Sequence, residues 1–160
     1  MLPFNDLPDD EARALLLGCL SAPRWAEDVL AGRPYVDRLD LIDAADAAAR
    51  QLSDDDLEAA LAGHPRIGDR AAAGHNADAS AGEQAGVDPS AGDTAARLAA
   101  GNVAYEQRFG HVFLIRAAGR DADEVLAELD RRLANDDAAE RAETIDNLRQ
   151  IAILRLEKAI

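Results

Sequence analysis

The sequence predicts an all-α protein, a helical bundle of about seven helices around one glycine-rich loop. Three observations carry this. Hydrophobic residues make up 48% of the 160-residue chain but aromatics only 4%, so the core is built mostly of Ala, Leu, Ile and Val. Apolar residues recur at three- and four-residue spacing, the period of a helix buried on one side. Acids, Ser, Gly and Pro punctuate these runs where helices start and stop.

Asp9, Asp10 and Glu11 place acids at a helix start, and "ARALLLGCL" follows as an apolar helix ending near Leu20. Ser21 is placed to N-cap a short second helix, with Pro23 in its first turn and Gly32-Arg33-Pro34 closing it. From about Asp37 to Gln51, Leu39, Ile42, Ala45 and Ala49 repeat at helical spacing. Ser53 and the three Asp after it open a helix that Gly63 stops and Pro65 keeps from continuing. Residues 64–92 differ: they hold Gly68, Gly74, Gly82, Gly86 and Gly92, with only Ile67 and Val87 as large aliphatics. Such a stretch is either a disordered linker or a functional loop. Within it "SAGEQAG" offers a short helix with Ser80 and Glu83 as a capping box. A helix over 93–109 follows, carrying Leu98, Asn102, Tyr105 and Phe109 on one stripe and ending at Gly110. "HVFLI" is a brief apolar run, extended or a helical turn, that periodicity does not assign. Asp121 N-caps a helix with Val125, Leu129 and Leu133 as its seam, and a last helix covers 137–159. No internal repeat interrupts residues 1–160, which read as a single domain.

Thirty-one acids against seventeen Lys and Arg give a net charge of −14. That argues against nucleic acid and anionic membrane surfaces as partners, since both are bound through basic surface. A small anionic substrate stays open, because a local arginine cluster dominates inside a pocket. Cys19 is the only cysteine, which rules out an intrachain disulfide and fits a reducing compartment. "MLPFNDLPDDEAR" has no basic start or long apolar run, and no stretch approaches the ~20 apolar residues of a membrane span. The expectation is a soluble cytoplasmic protein.

Few residues stand out for chemistry. His64 follows a helix stop, where a protonated imidazole is favoured by the helix dipole, and Pro65 restricts its backbone. It is either a surface histidine at a loop start or an imidazole held in a fixed place. His75 and His111 are scattered, and with no HExxH or CxxC a zinc site is not expected. Glu83 is three residues after Ser80, so capping is the role its spacing favours, and a capped helix would also mount Glu83 and Gln84 rigidly. Asn102 is an amide on an apolar stripe that needs hydrogen-bond partners if buried. Arg155 has Ile151, Ala152, Lys158 and Ala159 as its helical neighbours, so no acid on its own helix neutralises it, whereas Arg149 has Asp146. Arg155 must reach solvent, a distant carboxylate or a ligand anion. These residues lead to a helical protein with a histidine–glutamate–arginine site. The rival from another class is an acidic helical protein-interaction module whose 64–92 loop binds a partner.

Four stretches in order, "HPRIG" at 64–68, "SAGEQAG" at 80–86, "GNVAYEQRFGHVFLIRAAGR" at 101–120 and "LRQIAILRL" at 148–156, resemble the 2-oxo-4-hydroxy-4-carboxy-5-ureidoimidazoline (OHCU) decarboxylases. That family completes urate breakdown to (S)-allantoin, and "HPRIG" resembles its bacterial branch. The resemblance implies an all-α fold, a homodimer, a ureidoimidazoline substrate and no cofactor. It implies that His64, Glu83 and Arg155 are catalytic, with Pro65 beside the substrate and Ser80 and Gln84 lining the pocket. It further implies that the backbone of Phe113, Leu114, Ile115, Arg116 and Ala117 grips the substrate ring. The end "RLEKAI" lacks the SKL of peroxisomal relatives. A related lyase or hydrolase acting on another ureide is the second rival.

Overall fold

The computed structural model describes residues 2–62, 64 and 93–160, and among them it forms seven α-helices and no strand. After a 3-10 turn at Pro3–Asp6 come α1 (Asp9–Cys19), α2 (Pro23–Ala31), α3 (Arg38–Ala49) and α4 (Asp54–Ala62). Then follow α5 (Asp93–Phe109), α6 (Ala122–Leu133) and α7 (Asp137–Ala159). The all-α expectation is borne out. The glycine-rich loop, with the helix expected at "SAGEQAG", lies outside the described residues.

Short polar side chains start four of these helices by capping backbone donors that have no partner inside the helix. Asp37 accepts from the Asp40 N–H at 2.9 Å, Asp121 from Glu124 at 2.8 Å and Asp136 from Ala139 at 2.8 Å. At α4 the cap is reciprocal: Ser53 Oγ accepts from the Asp56 N–H (3.2 Å) and the Asp56 carboxylate accepts from the Ser53 N–H (3.0 Å). The expected cap at Ser21 is a correction. Pro23 is the first residue of α2, where its fixed φ fits, so Ala22 is the N-cap and Ser21 sits one residue too early.

The described residues divide into two compact units, Met1–Ala60 with Leu148–Ile160, and Leu61–Asn147. In the first, Leu16, Trp25, Val29, Leu41, Leu148 and Leu156 are buried. The Trp25 indole N–H donates to the Ala45 carbonyl at 2.9 Å, which satisfies the one polar atom of the largest core side chain. The N-terminal turn is tied down by Asn5, which donates to the Tyr35 carbonyl and accepts from the Tyr35 N–H, both at 2.8 Å. Arg38 donates to the Ile160 carbonyl at 2.7 Å and to that of Glu157, closing the last turn of α7. Arg149 reaches Asp46 of α3 at 2.5 Å. Burial pushes the Asp46 carboxyl up, but hydrogen bonds from Arg149 and Arg50 together outweigh it and hold its pKa below the usual value. The α3 stripe needs a second correction: Leu39 is 70% exposed and Leu41 takes its place beside Ala45 and Ala49. Leu41 lies about 40° round the helix from Ala45 and Leu39 about 120°, too far to share its face.

In the second unit, Leu98, Tyr105, Phe113, Ile115, Val125 and Leu129 belong to one buried cluster built by α5, α6 and the connection between them. That connection turns at Gly110 (φ +80°) and Gly119 (φ +78°), left-handed positions that glycine fills without strain. Gly101 serves α5 differently. A Cβ there would stand 2.3 Å from a methyl of Leu129, so the missing side chain is what lets α6 approach. Helix propensity alone favours Gly101→Ala by about 1 kcal/mol, whereas overpacking a filled core costs roughly 1–3 kcal/mol. Leu129 is 0% exposed and cannot swing aside, so overpacking wins. Gly101→Ala is expected to lower the thermal midpoint, and an unchanged or raised midpoint would show that the contact is loose.

Candidate active site

His64 stands two residues past the end of α4, half-buried, and its backbone N–H donates to the Leu61 carbonyl at 3.1 Å. That bond closes the last helical turn onto the histidine itself, so its backbone is set by α4. An imidazolium at this end is favoured by the carbonyl end of the helix dipole. Pro65, Ser80, Glu83 and Gln84 lie outside the described residues.

The run that periodicity left unassigned is neither helix nor strand. Phe113, Leu114, Ile115 and Ala117 are buried and Arg116 is half-buried. Without secondary structure, the backbone polar groups of a buried segment must find other partners. Arg132 Nη1 donates to the Leu114 carbonyl at 2.6 Å, and Asn147 Oδ1 accepts from the Arg116 N–H at 3.0 Å. Arg120 Nε donates to the Arg116 carbonyl at 3.0 Å. Arg116 Nε is itself buried and donates no hydrogen bond among the described residues.

Arg132 is fully buried, which the seam of Val125, Leu129 and Leu133 did not foresee. Leu133 is only partly buried. Seven residues bring a helix back to within about 20° of the same face, while eight overshoot by about 80°. The signal was therefore present: Arg132 is seven residues from Val125 and occupies a core position. Its Nε donates to Glu140 Oε1 at 2.8 Å, its Nη2 bonds the same oxygen, and its plane lies over the Phe113 ring at 4.7 Å. Glu140, 1% exposed, also accepts from the Tyr105 hydroxyl at 2.5 Å and from Asn135 Nδ2 at 3.1 Å. Burial, then the hydrogen bond to Glu140, push the Tyr105 phenol above its ordinary pKa.

Arg155 is 7% exposed, so its side chain does not run out to solvent. It belongs to the unit containing Leu148–Ile160, whereas His64 and residues 113–117 belong to the unit Leu61–Asn147. The nearby Cys19 thiol feels its charge: burial, the larger effect, raises the thiol to about 11, and Arg155 opposes it. Asn102 is buried on α5, as its place on the stripe with Leu98 and Tyr105 requires. Among the described residues no three His, Cys, Asp or Glu side chains converge as metal ligands, and no helix is long and apolar enough to cross a membrane.

An all-α protein with a helix-end histidine, a buried arginine and a side-chain-pinned apolar segment is the class these features define. A family model described as OHCU decarboxylase matches residues 5–157, and the chain belongs to that family. The 2-oxo-4-hydroxy-4-carboxy-5-ureidoimidazoline decarboxylase of Amia calva is 33% identical over 141 residues, 86% of this chain and 81% of that protein. The protein of the same name from Haloferax volcanii is 29% identical over 140 residues, 84% of this chain and 80% of its own. A crystal structure of OHCU decarboxylase in the presence of (S)-allantoin shares the fold with a TM-score of 0.75 at 23% identity, covering 95% of this chain and 97% of that one. A crystal structure of (S)-allantoin synthase gives 0.71 at 20% identity, over 99% of this chain and 53% of that one.

The burial of the Cys19 thiol is open to a direct test. A thiol raised from 9.0 to about 11 on folding adds stability that is present below pH 9 and is lost as pH rises towards 11. In the native protein Cys19 is expected to resist alkylation at about pH 8 and to react at the ordinary rate once unfolded. Equal rates before and after unfolding would mean that the thiol is not buried.

Proposed function

We propose that this chain is a cofactor-free carboxy-lyase that converts 2-oxo-4-hydroxy-4-carboxy-5-ureidoimidazoline to (S)-allantoin in urate degradation. The observation that carries the reading is the family match, which runs from residue 5 to residue 157. Its span across both compact units supports treating residues 1–160 as one domain. A homodimer in the cytoplasm completes the proposal, supported by the family resemblance and by the single cysteine.

The substrate explains why ordinary side chains suffice. The ring carbon that carries the carboxylate also carries a hydroxyl, and a C=N lies next to it. As CO2 leaves, the electron pair of the breaking bond forms a ring C=C, and the C=N pair moves onto nitrogen, which takes up a proton. The resulting enol loses its hydroxyl proton and gains a proton on the neighbouring ring carbon. That last step sets the chirality. The substrate is its own electron sink, so the protein must orient the carboxylate, handle the hydroxyl proton and choose the ring face.

His64 is suited to hold or move the hydroxyl proton, and Glu83 to bind that hydroxyl and favour the charged imidazole. Arg155, a buried guanidinium, is suited to grip an anionic or carbonyl edge through two parallel bonds. Pro65, Ser80 and Gln84 would line the pocket, and the backbone of 113–117 would hold the ring. The buried Nε–H of Arg116, which donates to no group among the described residues, supports a ligand beside that segment.

The deciding experiment supplies freshly generated substrate and follows the chirality of the allantoin. Spontaneous decay gives the racemate, so an excess of the S form is expected, and a racemic product refutes the reading. His64→Ala should abolish that excess while costing under about 1 kcal/mol of stability, the scale of a loop change. Glu83→Gln keeps a side chain that still serves a capping box. It should fold as the parent does and lose roughly 10²-fold in activity, the scale of a lost acid–base group. Parental turnover would reduce Glu83 to a cap.

Independence from metal and cofactor is tested separately. Activity should survive exhaustive dialysis against a chelator. A loss reversed by one divalent metal would overturn the self-contained electron sink.

A further inference from the structure

We propose that Arg132 is a positioning residue for the reaction: held by Glu140, its guanidinium aims the Leu114 carbonyl and thereby the 113–117 backbone that receives the substrate ring. This rests on the decarboxylase reading of that segment.

The geometry is specific. One planar group fixes two successive residues, Phe113 through its ring at 4.7 Å and Leu114 through its carbonyl at 2.6 Å. The guanidinium cannot drift, because Nε and Nη2 bond Glu140 Oε1 and Nη2 also donates to Thr144 Oγ1 at 3.3 Å. Glu140 is in turn set by the Tyr105 hydroxyl and by Asn135. At the other end of the run, Asn147 Oδ1 receives the Arg116 N–H at 3.0 Å. A trans peptide is planar with its C=O and N–H opposed. Pinning the Leu114 carbonyl therefore directs the Ile115 N–H away from Arg132. Pinning the Arg116 N–H directs the Ile115 carbonyl away from Asn147. Two side chains from α6 and α7 thus set the directions of one donor and one acceptor on a single residue, the pattern that a ring –NH–CO– edge complements.

Stability alone does not demand this pair. Replacing a buried ion pair by apolar residues of similar volume is often neutral or stabilising. Orientation is what apolar residues would not supply.

The test is the double variant Arg132→Met/Glu140→Leu in the full chain. Helicity and melting should match the parent. Amide hydrogen exchange should quicken at Ile115 and Arg116 and stay parental in α5 and α6. With substrate, KM should rise roughly five- to tenfold, the scale of one lost hydrogen bond, with kcat less affected, and the S excess should fall. A folded double variant with parental exchange, KM and S excess overturns the proposal, as does quickened exchange with parental kinetics. If the double variant does not fold, Arg132→Lys decides in its place. It keeps the charge for Glu140 but lacks the planar fork, so a smaller rise in KM is expected and a parental KM is fatal. Asn147→Ala, at the other pin, should give the same KM-weighted loss, and parental kinetics there would count against the proposal. A parent enzyme that yields racemate refutes the decarboxylase reading instead, while hydrogen exchange still reports whether Arg132 sets the segment.

Discussion

Two opposite charges, Arg132 and Glu140, are buried together in the unit Leu61–Asn147, and its local order depends on their meeting. Removing either partner alone would leave a charge without water or counter-charge, a loss of roughly 3–5 kcal/mol. The neighbours are arranged around that requirement. Tyr105 and Asn135 donate to the carboxylate, and Thr144 accepts from the guanidinium while its own hydroxyl bonds the Glu140 carbonyl at 2.9 Å. Phe113 and Tyr105 offer ring faces to the cation at 4.7 and 6.0 Å. With aromatics only 4% of the chain, placing two of them here concentrates the scarcest packing material on one ion pair.

The fold was legible because its signals are local. Acids and caps at Asp37, Ser53 and Asp121 mark helix starts that need only the next three residues to work. The helices over 93–109 and 137–159 have the bounds their punctuation implies. Misreadings arose where one face had to be chosen among several apolar positions. In α3 the run of Leu, Ile and Ala fits two stripes, and only packing selects Leu41 over Leu39. In α6 a charged residue sits on the seam, and a pattern that counts only apolar residues passes over it.

The candidate site was legible in a different way. Residue types and spacing raised His64, Glu83 and Arg155 but left each with a bland rival, and the resemblance to a family is what turned them into a reaction. For Arg155 the geometry removes one rival, since 7% exposure is incompatible with a side chain extended into solvent. For His64 the hydrogen bond to Leu61 makes a rigid mount physically explicit. The core position of Arg132 could be read from its spacing to Val125, but the part that Arg132 and Asn147 play could not, because it lies in the carbonyl and the N–H they hold, and those belong to a segment with no periodic signature.

The pinned segment also bears on how a cofactor-free enzyme could control stereochemistry. When the substrate carries its own electron sink, the protein's contribution is the placement of the ring relative to a proton donor, and placement tolerates little slack. The interior of a helix cannot offer its peptide groups to a ligand, because they are already spent on its own ladder. An irregular run has those groups to offer but lacks a ladder to hold them still. Side chains of rigid neighbours resolve the conflict: Arg132 on α6 and Asn147 on α7 each take one peptide group of the run and leave its direction fixed by helix geometry. A helical protein with few aromatics and no strand among its described residues can in this way present backbone donors and acceptors with the rigidity of its helices.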